Sequence, residues 1–90
     1  MNAIITVVGK DKVGIMAGVC IVLQKVNANI LDISQTVLHQ DMFTMNMLVD
    51  IEKANVGYDE IVDALDKCGE ELGVSIRIQR EEIFNAMHKI

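Results

Sequence analysis

Apolar residues recur along this chain at two spacings, and the switches between them mark its elements. Asn2–Val8, with Ile4-Ile5-Thr6-Val7-Val8 at its centre, reads as a first strand. From about Val13 to Val26 the spacing becomes helical, placing Ile15, Val19, Val22, Leu23 and Val26 on one face. Gly14 and Gly18, four positions apart, predict close packing of that helix on a sheet or a neighbouring helix. Asn27-Ala28-Asn29 ends it, since asparagine tolerates the left-handed geometry of helix ends. A second strand is expected from Ile30 to His39 and, after a turn at Gln40-Asp41, a third from Met42 to Ile51. In the third, Phe43, Met45, Met47, Val49 and Ile51 alternate against Thr44, Asn46 and Asp50, and Met42 faces outward. Asn55 and Gly57 mark a loop. Tyr58–Leu72 then carries Ile61, Leu65, Cys68 and Leu72 on one helical face, with Asp59, Glu60, Asp63, Asp66 and Glu70 turned to water. Gly73 closes this helix, and Val74–Arg80 alternates as a fourth strand.

The order is β-α-β-β-α-β, and each helix has a single apolar stripe. An α+β ferredoxin-like plait satisfies it, with both helices on one face of a four-stranded antiparallel sheet. The usual strand order of that plait leaves the second strand on an edge, open to pairing with another chain. One domain is expected over residues 1–80. Residues 81–90 form a tail in which Ile83, Phe84, Met87 and Ile90 predict a short amphipathic helix. It is expected to cover the other face of the sheet, on its own subunit or on a partner.

Composition narrows the function classes. The chain has 90 residues, 51% of them hydrophobic, and a domain this small buries only about 60% of its unfolded surface. Oligomerisation is the expected source of further burial. A net charge of −5, with one Tyr, two Phe and no Trp, argues against nucleic acid. The longest uncharged apolar stretch, Val13–Leu23, falls short of the roughly 20 residues that span a membrane. No basic leader precedes an apolar run. A soluble cytoplasmic protein is expected, without membrane or nucleic-acid partners. Cys20 and Cys68 lie on separate predicted helices, form no CxxC pair and read as reduced thiols. His39 and His88 have no acidic or cysteine neighbour at ligand spacing, so no metal and no cofactor are expected.

The candidate chemistry lies at Gly9-Lys10-Asp11-Lys12-Val13-Gly14. Two glycines let the backbone turn sharply and approach a ligand or a second chain. The helix that follows aims its unpaired first-turn N–H groups into the turn. The spacing resembles the start of a phosphate-binding loop, but Ile15-Met16 stands where lysine and a hydroxyl residue are required, which excludes nucleotide hydrolysis. The same residues also read as a plain tight turn with Asp11 capping the helix.

From Val7 to Gln35, Asp11-Lys12-Val13-Gly14-Ile15 followed by Asn29-Ile30 resembles the signature half of an ACT domain. This is the small regulatory fold that binds amino acids in metabolic enzymes and transcriptional regulators. The tail Ile83-Phe84-Asn85-Ala86-Met87-His88 closely resembles that of stand-alone ACT-domain proteins, which are similar to the ACT half of glycine cleavage system regulators. The resemblance covers the whole chain. It implies a regulatory module rather than an enzyme, with a small amino acid bound between two subunits joined at the second strand and first helix. Asp11 and Asn29 would contact the ligand, and the backbone around Gly14 would lie alongside it. The implied site comprises Gly9, Asp11, Lys12, Val13, Gly14, Ile15, Asn29 and Ile30. Many family members carry proline where this chain has Val13. With no catalytic residues of its own, such a homodimer would signal through a separate protein partner. The competing expectation is an interaction module that has kept the fold and lost the ligand.

Overall fold

The computed structural model describes residues 1–10, 13–38 and 41–82. Strand β1 (Asn2–Lys10) leads to helix α1 (Ile15–Lys25), followed by β2 (Asn29–Leu38), β3 (Met42–Asp50), α2 (Tyr58–Leu72) and β4 (Val74–Arg80). The strands pair in the order β2-β3-β1-β4, all antiparallel. This is the ferredoxin-like plait, with β2 on an edge.

Period-two burial puts Ala3, Ile5 and Val7 of β1 and Phe43, Met45, Met47 and Val49 of β3 on the helix-covered face. They meet Ile15, Val19 and Leu23 of α1 and Ile61, Leu65 and Cys68 of α2 in one core. No charged or polar side chain is buried among the described residues. Gly18 fulfils the packing expectation, because a Cβ there would stand 3.0 Å from Leu72 Cδ1 on α2. Gly14 does not, since no described residue beyond its chain neighbours lies within 4 Å of where its Cβ would be. Asn27 takes the left-handed conformation, φ 60°, that stops α1. Two asparagine side chains then tie this end to the loop before α2: Asn27 Nδ2 donates to the Lys53 carbonyl at 2.8 Å, and Asn55 Nδ2 to that of Lys25 at 3.0 Å.

Several boundaries differ from the sequence reading, among them the ends of α1, at Lys25 rather than Val26, and of β3, at Asp50 rather than Ile51. β1 runs on to Lys10, because Gly9 still pairs with Phe43 on one side and Val74 on the other. α1 starts at Ile15 rather than Val13, and β2 starts at Asn29. The register of β2 also shifts by one residue between Ile30 and Asp32, leaving Leu31 in a bulge. His39, Gln40 and the tail from Ile83 lie outside the described residues.

Candidate functional site

Two glycines precede α1, and each is needed for a different reason. Gly9 is a strand residue pressed on its own sheet, where a Cβ would meet Val74 Cγ1 at 2.5 Å. Its smallness serves the β1–β4 contact, which corrects its reading as a turn glycine. Gly14 is the N-cap of α1, at φ 94° and ψ −2°, a conformation that costs residues with a Cβ. The cap expected of Asp11 thus falls to a residue without a side chain. Asp11 and Lys12 themselves lie outside the described residues. Val13 is fully exposed, and the Ile15 side chain is buried in the core, leaving only its backbone to face the turn.

The other half of the implied site stands elsewhere. Asn29 opens β2 just past the end of α1, exposed, with Ile30 half-buried beside it. Asn29 lines two shallow depressions. One, of about 270 Å³, also takes in Asn27, Ala28, Asp50 and Lys53. The other, of about 340 Å³, lies between α1 and β2 and is lined by Cys20, Leu23, Gln24, Asn27, Ala28 and Ile30. Asp50 Oδ1 accepts from the Glu52 N–H at 2.9 Å and lies 3.8 Å from the N-terminal ammonium. Asp50 and Lys53 were not singled out from sequence, because strand pairing and a loop crossing bring them to Asn29.

Register measures the separation within one chain. Asn29 pairs with Asp50 and Asp50 with Asn2, at one end of the sheet. Gly9 lies seven residues (9 − 2) further along β1, which is about 23 Å at about 3.3 Å per residue. One small ligand cannot touch Asn29 and the Gly9–Gly14 turn of the same chain.

The edge strand has its own signature. Past the bulge, Ile33 stands opposite Met47 and Val37 opposite Phe43, so both point to the helix side of the sheet. The helices do not reach that far, and Leu31, Ile33 and Val37 remain 48%, 37% and 54% exposed. An uncovered edge with apolar side chains suits pairing with another chain.

The remaining reactive groups are ordinary. Burial, with the Glu71 carboxylate adding to it, pushes the Cys68 thiol above its usual pKa, which keeps it protonated and unreactive. Cys20 is half-buried and also free. Among the described residues no three His, Cys, Asp or Glu side chains gather as a metal site, and no helix is long and apolar enough to cross a membrane.

Comparison with known proteins adds to this geometry. A family model described as ACT domain matches residues 2–79. A UPF0237 protein from Clostridium acetobutylicum is 54% identical over 90 residues, which cover 100% of both chains. An ACT domain protein from Streptococcus pneumoniae superposes with a TM-score of 0.80 at 44% identity, over 93% of each chain. A candidate glycine cleavage system transcriptional repressor shares the fold, with a TM-score of 0.68 at 23% identity, over 88% of this chain and 44% of that one.

Proposed function

The chain belongs to the ACT-domain family, and from that premise we propose that it is a regulatory module binding a small amino acid between two copies of itself. The domain is regulatory and not an enzyme.

The observation that carries the reading is the separation of Asn29 from the Gly9–Gly14 turn. A two-fold axis pairing one β2 with another makes the two strands antiparallel. The start of each β2, at Asn29, then comes level with the end of the other. That end, Leu38, is in register with Met42 and through it with Lys10, beside the turn. Pairing the edges therefore supports two composite sites, each with Asn29 from one subunit and the turn from the other. The exposed Leu31, Ile33 and Val37 supply apolar surface for the same contact.

The chemistry suits a zwitterion. Asp11 would accept from the ammonium, while the Asn29 carboxamide and the first-turn N–H groups of α1 would donate to the carboxylate. Gly14, the N-cap, adds no side chain at that helix end. Lys12 and Val13 would border the ligand, and Gly9, Ile15 and Ile30 would shape the backbone around it. Binding favours one dimer arrangement over another, and a separate protein partner reads the difference.

The thermal midpoint, measured against each of the twenty amino acids, tests the reading. Selective binding to the folded state raises it for one or a few of them. If none raises it, and Asp11→Ala and Asn29→Ala change nothing, the exposed apolar edge speaks instead for an interaction module without a ligand.

A further inference from the structure

The face of the sheet away from the helices holds one apolar rung. Ile4 and Leu48 stand directly opposite each other there, both half-buried, with Gln79 beside Ile4 and Asp32 beside Leu48. That rung crosses all four strands, β4-β1-β3-β2, and is apolar at its two central positions and polar at its ends. The next rung on the same face, Arg77-Thr6-Asn46-Ser34, is polar, and the Thr6 hydroxyl donates to Asn46 Oδ1 at 3.1 Å. A depression of about 320 Å³ lies over the apolar rung, lined by Ile4, Leu48, Asp32, Ser34, Asn46, Met47 and Glu81.

Glu81 identifies the occupant. The backbone is already helical at Glu81-Glu82, directly after β4, and Glu81 borders this depression. We propose that residues 83–90 of the same chain, which lie outside the described residues, dock on this rung as a helix crossing the strands. The lengths agree. Ten residues from Glu81 to Ile90 make about 15 Å of helix at 1.5 Å per residue, and three inter-strand gaps of about 4.8 Å make about 14 Å. The pattern agrees as well. At 3.6 residues per turn Ile83, Phe84, Met87 and Ile90 share one face, while Glu82, Asn85 and Lys89 fall on the other. A helix this short needs such a contact to persist in water. Docked there, the tail ends over Asp32 of β2, on the strand whose free edge the proposed dimer uses. The tail thereby joins the open face to the edge strand.

The chain has no tryptophan, so Phe84→Trp makes the tail its own reporter. The expected result is a native emission maximum shifted to the blue of the same variant unfolded in denaturant. Adding Leu48→Ser or, separately, Ile4→Thr moves the native maximum back toward the red. An emission identical in native and denatured protein overturns the proposal. So does a blue shift that neither face substitution alters, which would place the tail elsewhere. Mixing the Phe84→Trp, Leu48→Ser chain with excess wild-type chain decides whose face is used. No recovery of the blue shift is expected, and recovery would mean that the tail docks on the partner instead.

Discussion

Asn29 and Gly14 stand at opposite ends of helix α1, the first opening the strand that follows it and the second capping its start. The helix has 11 residues, about 17 Å at 1.5 Å per residue, so the two never share a small ligand within one chain. Everything proposed for function follows from that distance, because only a second subunit brings the pair together.

The dimer is therefore the first prediction. Light scattering should report twice the 10.0 kDa chain mass. Ile33→Asp places a charge on the helix side of the free edge, where Ile33 is already partly exposed, and should give a folded monomer. A wild-type monomer would remove the composite site.

Gly9 and Gly14 should respond differently to alanine. Gly14→Ala puts a Cβ on a left-handed backbone and should cost about 1–2 kcal/mol, with Gly14→Asn costing less. Gly9→Ala overpacks the β1–β4 contact against Val74 and should cost about 1–3 kcal/mol. Val74→Ala should relieve part of the Gly9→Ala loss and none of the Gly14→Ala loss. Denaturant unfolding of the single and double variants separates these outcomes.

Cys68 makes stability fall at alkaline pH. Its pKa is raised from an ordinary 9.0 by burial and then by Glu71, so the folded chain keeps a proton that the unfolded chain releases. The contribution is complete below 9.0 and is lost as pH rises through the folded value. The unfolding free energy of wild type should fall more steeply with pH above 9.0 than that of Cys68→Ala. In native protein at neutral pH, Cys20 should also alkylate faster than the buried Cys68.

Element order and the core faces of β3 and α2 are legible in the sequence because burial there is one-sided and periodic. Met45, Met47, Ile61 and Leu65 fall where alternation or helical spacing puts them. Three features escape periodicity. Ile30-Leu31-Asp32-Ile33 gives no local sign that Leu31 bulges, yet the bulge decides which side chains of β2 face the helices. Gly9 reads as part of a turn because glycine is common there, and only its pairing with Val74 shows why a strand needs it. For the site, residue types point to Asn29 and the Gly9–Gly14 turn, but their separation comes from strand order. Asp50 and Lys53 reach Asn29 only through pairing of β2 with β3 and the loop beyond it.

Mixing two inactive variants tests the shared site most directly. Homodimers of Asp11→Ala and of Asn29→Ala each lack one half of both sites. A mixed dimer has one site missing both halves and one site intact. With the amino acid that most raises the wild-type thermal midpoint as ligand, each variant alone should give no shift. Re-associated from an equal mixture, they should regain binding at one site per mixed dimer. A mixture that binds no better than its parents, or a single variant that keeps full binding, would contradict a site built from Asn29 of one subunit and the turn of the other.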